Sequence, residues 1–458
     1  EPDAVEPLPA DGSARRLFRM RGGGTALIGA VGPDARENRA FLAFSRHFRS
    51  VGLPVPEIYA EDAAAGVYLE EDLGDTNLFQ LLSAKRAGPD VPPEVAAVYR
   101  KVAAALPRFQ VDGGRGLDYS VCYPRDSFDR QSMLWDLNHF KYYFLRLAGV
   151  PFDEQALEDD FKRFADYLLK APREYFLYRD FQSRNVMVRG GEPWFIDYQG
   201  GRKGALQYDV ASLLYDGKAD LPPAFRDELL GVYLDAAAER VPLDRADFLA
   251  RWPGFVLVRI MQAMGTYGLR GFYERKAHFL QSIPFAVRNM ERLLQTTEVP
   301  VPLPALSKVW RTIVMMPSLR QYGKTKLRLT VRVQSFSYKA GMPADDSGHG
   351  GGFVFDCRAL PNPGREERFK PLTGRDAPVA EYLAADGGVG AFLERAQELV
   401  SQSVENYRAR NFTDLFVAFG CTGGQHRSVY CAERLAAALR AQGVAVELSH
   451  RELEKRAA

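Results

Sequence analysis

Two short apolar runs that each end in an aspartate constrain this chain most: Tyr178-Arg179-Asp180-Phe181-Gln182-Ser183-Arg184-Asn185, then Ile196-Asp197-Tyr198-Gln199-Gly200. They belong to a non-helical island, Tyr175 to Tyr198, that reads as two short strands joined by polar residues. Asp180 closes one strand with Asn185 five residues on, and Asp197 closes the next. A lone Asp-x-x-x-x-Asn reads equally well as a loop cap; the paired strands and a sheet-rich segment upstream favour chemistry. Phosphoryl transfer from ATP needs a carboxylate to orient and deprotonate the acceptor hydroxyl, and oxygen ligands to hold magnesium on the phosphates. In that reading Asp180 is the catalytic base, and Asn185 and Asp197 hold the Mg2+ that offsets charge on the transferred group.

The surroundings read as follows. Leu17–Met20 and Thr25–Val31 flank Arg21-Gly22-Gly23-Gly24, a hairpin signal. Phe41, Phe44 and Phe48 then fall on one helical face, and Val67–Leu69 is a strand running into Glu70-Glu71-Asp72-Leu73-Gly74. Residues 76–305 carry helix-spaced apolar positions over 95–109, 135–147, 161–169 and 225–238. Val299-Pro300-Val301-Pro302-Leu303-Pro304 ends that unit, and 306–324 reads as a linker. From Lys326, Leu327, Leu329, Val331 and Val333 alternate with Lys326, Arg328, Thr330 and Arg332, the pattern of a half-buried strand. Strand candidates 353–356, 415–419 and 444–448 alternate with helices 389–408 and 429–442, which predicts a small α/β domain over 325–458.

Composition narrows the class. With 46% hydrophobic residues, 26% charged residues and a net charge of +2, the chain has the make-up of a globular protein with real cores. That balance gives no case for a general nucleic-acid or membrane binder. Cys122, Cys357, Cys421 and Cys431 are too far apart for a zinc site and too few for a disulfide framework, so they read as reduced thiols. No secretory leader and no apolar run of membrane-spanning length is recognised, and a cytoplasmic location is expected.

Residues 1–305 resemble the aminoglycoside phosphotransferase-like kinases, and within them the bacterial kinases that phosphorylate N-acetylmuramate and N-acetylglucosamine at the anomeric hydroxyl. The resemblance implies an α+β protein-kinase-like bilobal fold, with an N-lobe over 1–75 and a helical C-lobe over 76–305. It places Asp11-Gly12-Ser13-Ala14-Arg15-Arg16-Leu17-Phe18-Arg19 at the nucleotide loop and second strand, and Glu37-Asn38 on the helix beside the nucleotide. Glu70, Asp72 and Leu73 fall in the hinge whose backbone reads adenine, and Asp209 of Tyr208-Asp209-Val210 braces the catalytic loop. There are two departures. Tyr178 stands where the family commonly has His, and Ala26-Leu27-Ile28-Gly29-Ala30-Val31 lacks the lysine that protein kinases direct at the phosphates. Arg15, Arg16 and Arg19 are the candidate replacements. Segment 118–143, with Tyr119, Arg125, Trp135, Asp136 and Lys141, is a candidate sugar site.

In the second unit, Asp414–Phe419 runs into Gly420-Cys421-Thr422-Gly423-Gly424-Gln425-His426-Arg427-Ser428 and then a helix. A glycine-rich loop between strand and helix turns backbone N–H groups and a helix dipole toward one point, which suits an anion, although the spacing is not that of a P-loop. Residues 325–458 resemble the C-terminal domain of the RNase adapter family RapZ, through Ser335–Pro343, Phe355–Pro363, Leu372-Thr373-Gly374, the loop above and His450-Arg451. The resemblance implies a glucosamine-6-phosphate site at Gly420, Cys421, Thr422, Gly423, Gly424, His426, Arg427 and Ser428, with Lys339, Arg358, Asn362 and Arg451 contributing.

Together these readings predict an ATP- and Mg2+-dependent kinase of an N-acetylated amino sugar in cell-wall recycling, carrying a phosphosugar-sensing domain. A regulatory pseudokinase that senses glucosamine-6-phosphate through a protein or RNA partner is one alternative, and an aminoglycoside phosphotransferase is the other. RNA belongs to the alternative rather than the main reading, no membrane partner is expected, and the oligomeric state is left open.

Overall fold

The computed structural model describes residues 2–8, 15–322, 329–343, 352–409, 412 and 414–457. Gly12 and Ser13, expected at the nucleotide loop, lie outside the described residues, as do Lys326 and Arg328 of the alternating run. Two compact units result: residues 1–268 with 282–321, and residues 269–281 with 322–458.

The first unit opens with five strands, β1 (Ala4–Pro7), β2 (Arg16–Gly22), β3 (Thr25–Val31), β4 (Ile58–Asp62) and β5 (Val67–Glu71), in one antiparallel sheet of order β1-β2-β3-β5-β4. The β2–β3 hairpin turns on Gly23 and Gly24, whose φ values of 57° and 79° suit a residue without Cβ. Helix α1 (Ala35–Ser50) begins where Asp34 accepts the Arg36 N–H. Its Phe41, Phe44 and Phe48 are buried in a core shared by Tyr68 of the sheet and by Tyr178, Phe195 and Tyr198 of the helical lobe.

That lobe holds α2 (Leu78–Lys85), α3 (Pro93–Pro107), α4 (Arg130–His139), α5 (Glu154–Leu168), α6 (Leu206–Leu214), α7 (Pro223–Ala238) and α8 (Arg245–Tyr267). Between α5 and α6 lie two small antiparallel pairs: β6 (Tyr175–Leu177) with β9 (Arg202–Gly204), and β7 (Val186–Arg189) with β8 (Glu192–Phe195). The short helix α9 (Ala277–Leu280) groups with the second unit, and α10 (Ile283–Thr296) returns to the first.

The stretch expected as a linker is helical in its described part: α11 (Pro304–Met315) and α12 (Pro317–Gln321). Leu306, Trp310 and Ile313 are buried, the Trp310 indole N–H points at Met261 Sδ 3.3 Å away, and Asp160 accepts the Leu306 N–H at 2.8 Å. The proline run does not end the unit because Pro304 occupies the first helical position, where a missing N–H costs nothing.

The second unit is a four-stranded parallel sheet of order β11-β12-β10-β13, from β10 (Thr330–Ser337), β11 (Gly352–Asp356), β12 (Asp414–Cys421) and β13 (Ala445–His450). Its helices are α13 (Ala377–Ala384), α14 (Gly387–Ala409), α15 (Arg427–Ala441) and α16 (Arg451–Ala457). Leu329, Val331 and Val333 face a core with Val417, Val400 and Leu435, as the alternation predicts. On the opposite face Arg332 forms a two-point ion pair with Asp414 at 2.8 and 2.9 Å. The architecture is therefore a bilobal α+β kinase-like fold followed in the chain by a small α/β domain.

Candidate nucleotide cleft and anion loop

The catalytic-loop segment is held by its backbone. Arg179 has a left-handed φ of 82°, which a non-glycine residue keeps only when its surroundings enforce it. Asp209, wholly buried, accepts the N–H groups of Tyr178 (2.8 Å) and Arg179 (3.0 Å) and the Gln110 amide (3.1 Å), so it braces this loop. The Arg179 guanidinium closes on both oxygens of Asp136 at 2.7 Å and donates to the Tyr208 hydroxyl. Tyr178, in place of His, donates its hydroxyl to the Ile196 carbonyl at 2.6 Å and ties the two strand ends together.

Asp180, Asn185 and Asp197 meet at these strand ends. The Asn185 amide donates to the Asp180 carbonyl (2.8 Å) and to Asp197 Oδ2 (3.1 Å), and Gln199 donates to Asp197 Oδ1 (2.7 Å). Asp197 is itself left-handed, with φ 68°. Burial pushes its carboxyl above the usual range, the Asp180 charge adds to this, and Gln199 and Arg15 oppose it. Crowded hard oxygens of this kind fit a magnesium ion. Among the described residues, however, no group of three or more His, Cys, Asp or Glu could hold a metal by itself. A metal here would need phosphate oxygens to complete its shell.

The candidate cations of the sheet lobe have different fates. Arg19 is consumed: it pairs with Asp72 at 2.6 and 3.0 Å and with Asp75 at 2.6 Å, so neither it nor Asp72 is presented to a ligand. Arg16 is exposed, with its guanidinium carbon 6.0 Å from the Phe18 ring. Arg15 lies over Phe41 (5.2 Å) and near Tyr68 (5.9 Å). Glu70 carries a carboxyl pushed up to about 8 by burial, with Arg15 opposing the shift. Leu73 is buried, and Glu37 is half-buried in the first turn of α1, where its charge reaches Asp197. The Arg179–Asp136 clamp and the Gln199 contact carried no role in the sequence reading. The only available signal was the position of Arg179 and Gln199 inside the quoted motifs. In segment 118–143, Lys141 is buried against Glu154 and Glu158 and Asp136 holds Arg179, so neither is offered to a sugar.

In the second unit the expected residues come from the carboxyl ends of all four strands, where open α/β sheets gather ligands. Cys421 is buried rather than at a rim; its sulfur accepts the Gly424 N–H at 3.2 Å and lies 3.1 Å from Ser428 Oγ, so it shapes the loop. Arg427 donates to the carbonyls of Arg358 (2.8 Å) and Leu360 (3.0 Å), and His426 Nε2 donates to the Phe369 carbonyl (2.9 Å). Arg358 pairs with Asp356 and lies over Tyr338. Arg451 holds the carbonyls of Ser337 and Gly341, and Asn362 caps its own turn through the Gly364 N–H. Thr422 and Gly423 are exposed, as is Lys339, whose ammonium pairs with none of the described residues. The groups thus converge, but most of the expected donors fasten the loop, leaving Lys339, Thr422 and backbone N–H groups for an anion.

Together the sheet lobe, the hinge and the braced acidic loop define a nucleotide-binding fold of the kinase type, with an α/β domain on the same chain. The model of the phosphotransferase enzyme family matches residues 4–244, and that of the RapZ C-terminal domain matches residues 329–454. A nucleotide-binding protein of Laribacter hongkongensis is 39% identical over 198 residues, covering 41% of this chain and 67% of its own length. The RNase adapter protein RapZ of Yersinia pseudotuberculosis is 34% identical over 236 residues, covering 52% of this chain and 74% of its own length. A thermostable mutant of aminoglycoside phosphotransferase APH(4)-Ia is 18% identical, with a TM-score of 0.42, covering 65% of this chain and 95% of that one. The chain belongs to the phosphotransferase enzyme family through its first unit and is kin to RapZ through its second. It spans less than half the length of other nucleotide-binding relatives, 45% and 42% in two of them.

These relatives overturn the expectation of a catalytic amino-sugar kinase. They are named as nucleotide-binding proteins and an RNase adapter, not as sugar kinases, and the transferase and peptidoglycan-recycling assignments fall with the activity. The aminoglycoside-modifying alternative falls with them. A fold supplies a scaffold and leaves the chemistry to side chains. Here β3 offers no lysine and Arg19 is neutralised by two aspartates.

Proposed function

We propose that the protein is a regulatory sensor: a nucleotide-binding, non-catalytic kinase-fold unit joined to a unit that binds an amino-sugar phosphate, glucosamine-6-phosphate being the first candidate. The carrying observation is the kinship of residues 329–454 with the RapZ C-terminal domain, supported by the convergence of Lys339, Thr422 and the Gly420–Ser428 loop at the carboxyl ends of the parallel sheet. In the first unit Asp197 and Asn185 would hold Mg2+ jointly with the nucleotide phosphates. Such a metal supplies charge neutralisation there, while the protein's own residues bind and orient.

Calorimetric titration of the full chain tests this. Glucosamine-6-phosphate should bind, and glucosamine should bind at least about 10-fold more weakly, because the phosphate takes up the loop's N–H groups. ATP incubated with N-acetylmuramate, N-acetylglucosamine or glucosamine should remain unconsumed. Equal affinity for the two sugars would overturn the anion-loop assignment, and a sugar phosphate seen by NMR would overturn the non-catalytic reading.

A further inference from the structure

An antiparallel sheet covered on one side places apolar residues toward the core and polar residues toward water. The sheet of the first unit departs from that rule. Leu17, Ala30 and Tyr68 form one cross-strand row and pack into the core with Phe41 of α1. Side chains alternate faces along a strand, so the positions next to that row point away from α1. They are Phe18 and Met20 of β2, Gly29 and Val31 of β3, and Val67 and Leu69 of β5, none of them polar.

These residues line a groove of about 490 Å3. Its floor is Gly29, and the cross-strand neighbours of Gly29, Phe18 and Leu69, stand on either side as walls. A Cβ on Gly29 would come 2.9 Å from Met20 Sδ and 3.6 Å from Leu69 Cδ2, so a larger residue there fills the groove from below. Val5 of β1 and Ala60 of β4 close the two edges. The β4 end is acidic. Asp62, exposed, accepts the N–H groups of Ala64 and Ala65 at 3.0 Å through one oxygen, and no basic side chain among the described residues pairs with it. Glu61 is already paired with Arg46 at 2.7 Å. Arg16, also on the outer face, lines a separate depression with Pro33 and Ala64.

We propose that this groove binds a small organic cation with an apolar body, its carbon skeleton over Gly29 and its ammonium end against Asp62. The volume falls within the roughly 300–1,000 Å3 of small-molecule sites, and an apolar lining with one polar end is what orients such a ligand. Burial of the ligand's carbons supplies affinity, and the unpaired carboxylate selects the sign of its charge. The site requires neither nucleotide nor glucosamine-6-phosphate.

The test titrates the full-length protein by calorimetry with decyltrimethylammonium, decanol and decanoate, each below the concentration at which it aggregates. Decyltrimethylammonium should bind one per chain and at least about 3-fold more tightly than decanol, with decanoate weaker than either. Asp62→Asn keeps an acceptor for the Ala64 and Ala65 N–H groups; it should leave decanol affinity unchanged and erase the preference for the cation. Gly29→Val should lose all three ligands by filling the floor while the thermal transition is retained. If Gly29→Val does not fold, the three-ligand comparison in the wild type and Asp62→Asn decides alone. A wild-type chain that binds none of the three overturns the proposal, as does a preference for the cation that Asp62→Asn keeps. Several molecules bound per chain, equally in Gly29→Val, would mean adsorption to the surface and overturn it as well. Self-association of the wild type in sedimentation, abolished by Gly29→Val, would make a second copy the occupant and overturn it too.

Discussion

Asp209 is wholly buried and Glu70 half-buried with its Oε2 enclosed, and their surroundings treat the two acids differently. Asp209 accepts three N–H donors that offset its burial, and its carboxyl is pushed only to about 6. Glu70 has a buried Oε2 with no hydrogen-bond partner and relies on the Arg15 charge, so its carboxyl rises to about 8. For a carboxyl raised above its unfolded value, the folded state holds a proton that the unfolded chain releases first. The stabilisation is complete below about 4.5 and is lost as pH rises through about 8. Glu70→Gln removes this dependence. In urea melts the variant should gain on the wild type between about pH 4.5 and about pH 8, and a difference that does not change with pH would contradict the assigned protonation. At this scale the sequence exposed Asp180, Asn185 and Asp197, because their chemistry depends on spacing along the chain. It did not expose the Arg179–Asp136 clamp, whose partners are 43 residues apart.

The element that decides the second unit's chemistry is the turn between β12 and α15. Gly424 has φ +65°, and a Cβ there would lie 2.9 Å from the Ser337 backbone nitrogen and 2.5 Å from Glu452 Cγ. Gly423, one residue earlier, has open space. Gly424→Ala should therefore cost about 1–3 kcal/mol of stability and weaken glucosamine-6-phosphate binding, whereas Gly423→Ala should fold with stability within about 0.5 kcal/mol of wild type. Chemical denaturation of the two variants checks both figures; equal losses would mean that the loop is not shaped by Gly424. The glycine-rich pattern was legible in the sequence, but the division of labour inside it was not. Cys421, His426 and Arg427 looked like ligand donors, and they turn out to fasten the loop to Gly424, Phe369, Arg358 and Leu360. A donor in a sequence carries no label saying which acceptor satisfies it.

At the scale of the molecule, two compact units with separate ligands predict separate responses. Saturating ATP should raise the thermal transition of the first unit and glucosamine-6-phosphate that of the second, each ligand adding about 2.7 kcal/mol to its unit's stability at 100 times the dissociation constant. If the sensor is regulatory, each ligand must also change the other's affinity by the same factor, which paired titrations would read directly. A shift of both transitions by a single ligand, without reciprocal coupling, would contradict separate sites.

By itself the sequence determined the acidic loop, the glycine-rich loop, the alternating strand before the small α/β domain and the absence of a lysine on β3. Each is a local pattern whose physical meaning lies within a few residues. Tertiary structure alone decided that Arg19 is spent on Asp72 and Asp75, that Arg15 lies against Phe41 and Tyr68, and that residues 304–315 are a packed helix with Trp310 buried. Those outcomes depend on which charges and surfaces meet across the fold, and hydrogen bonding and burial settle that only once distant segments are side by side.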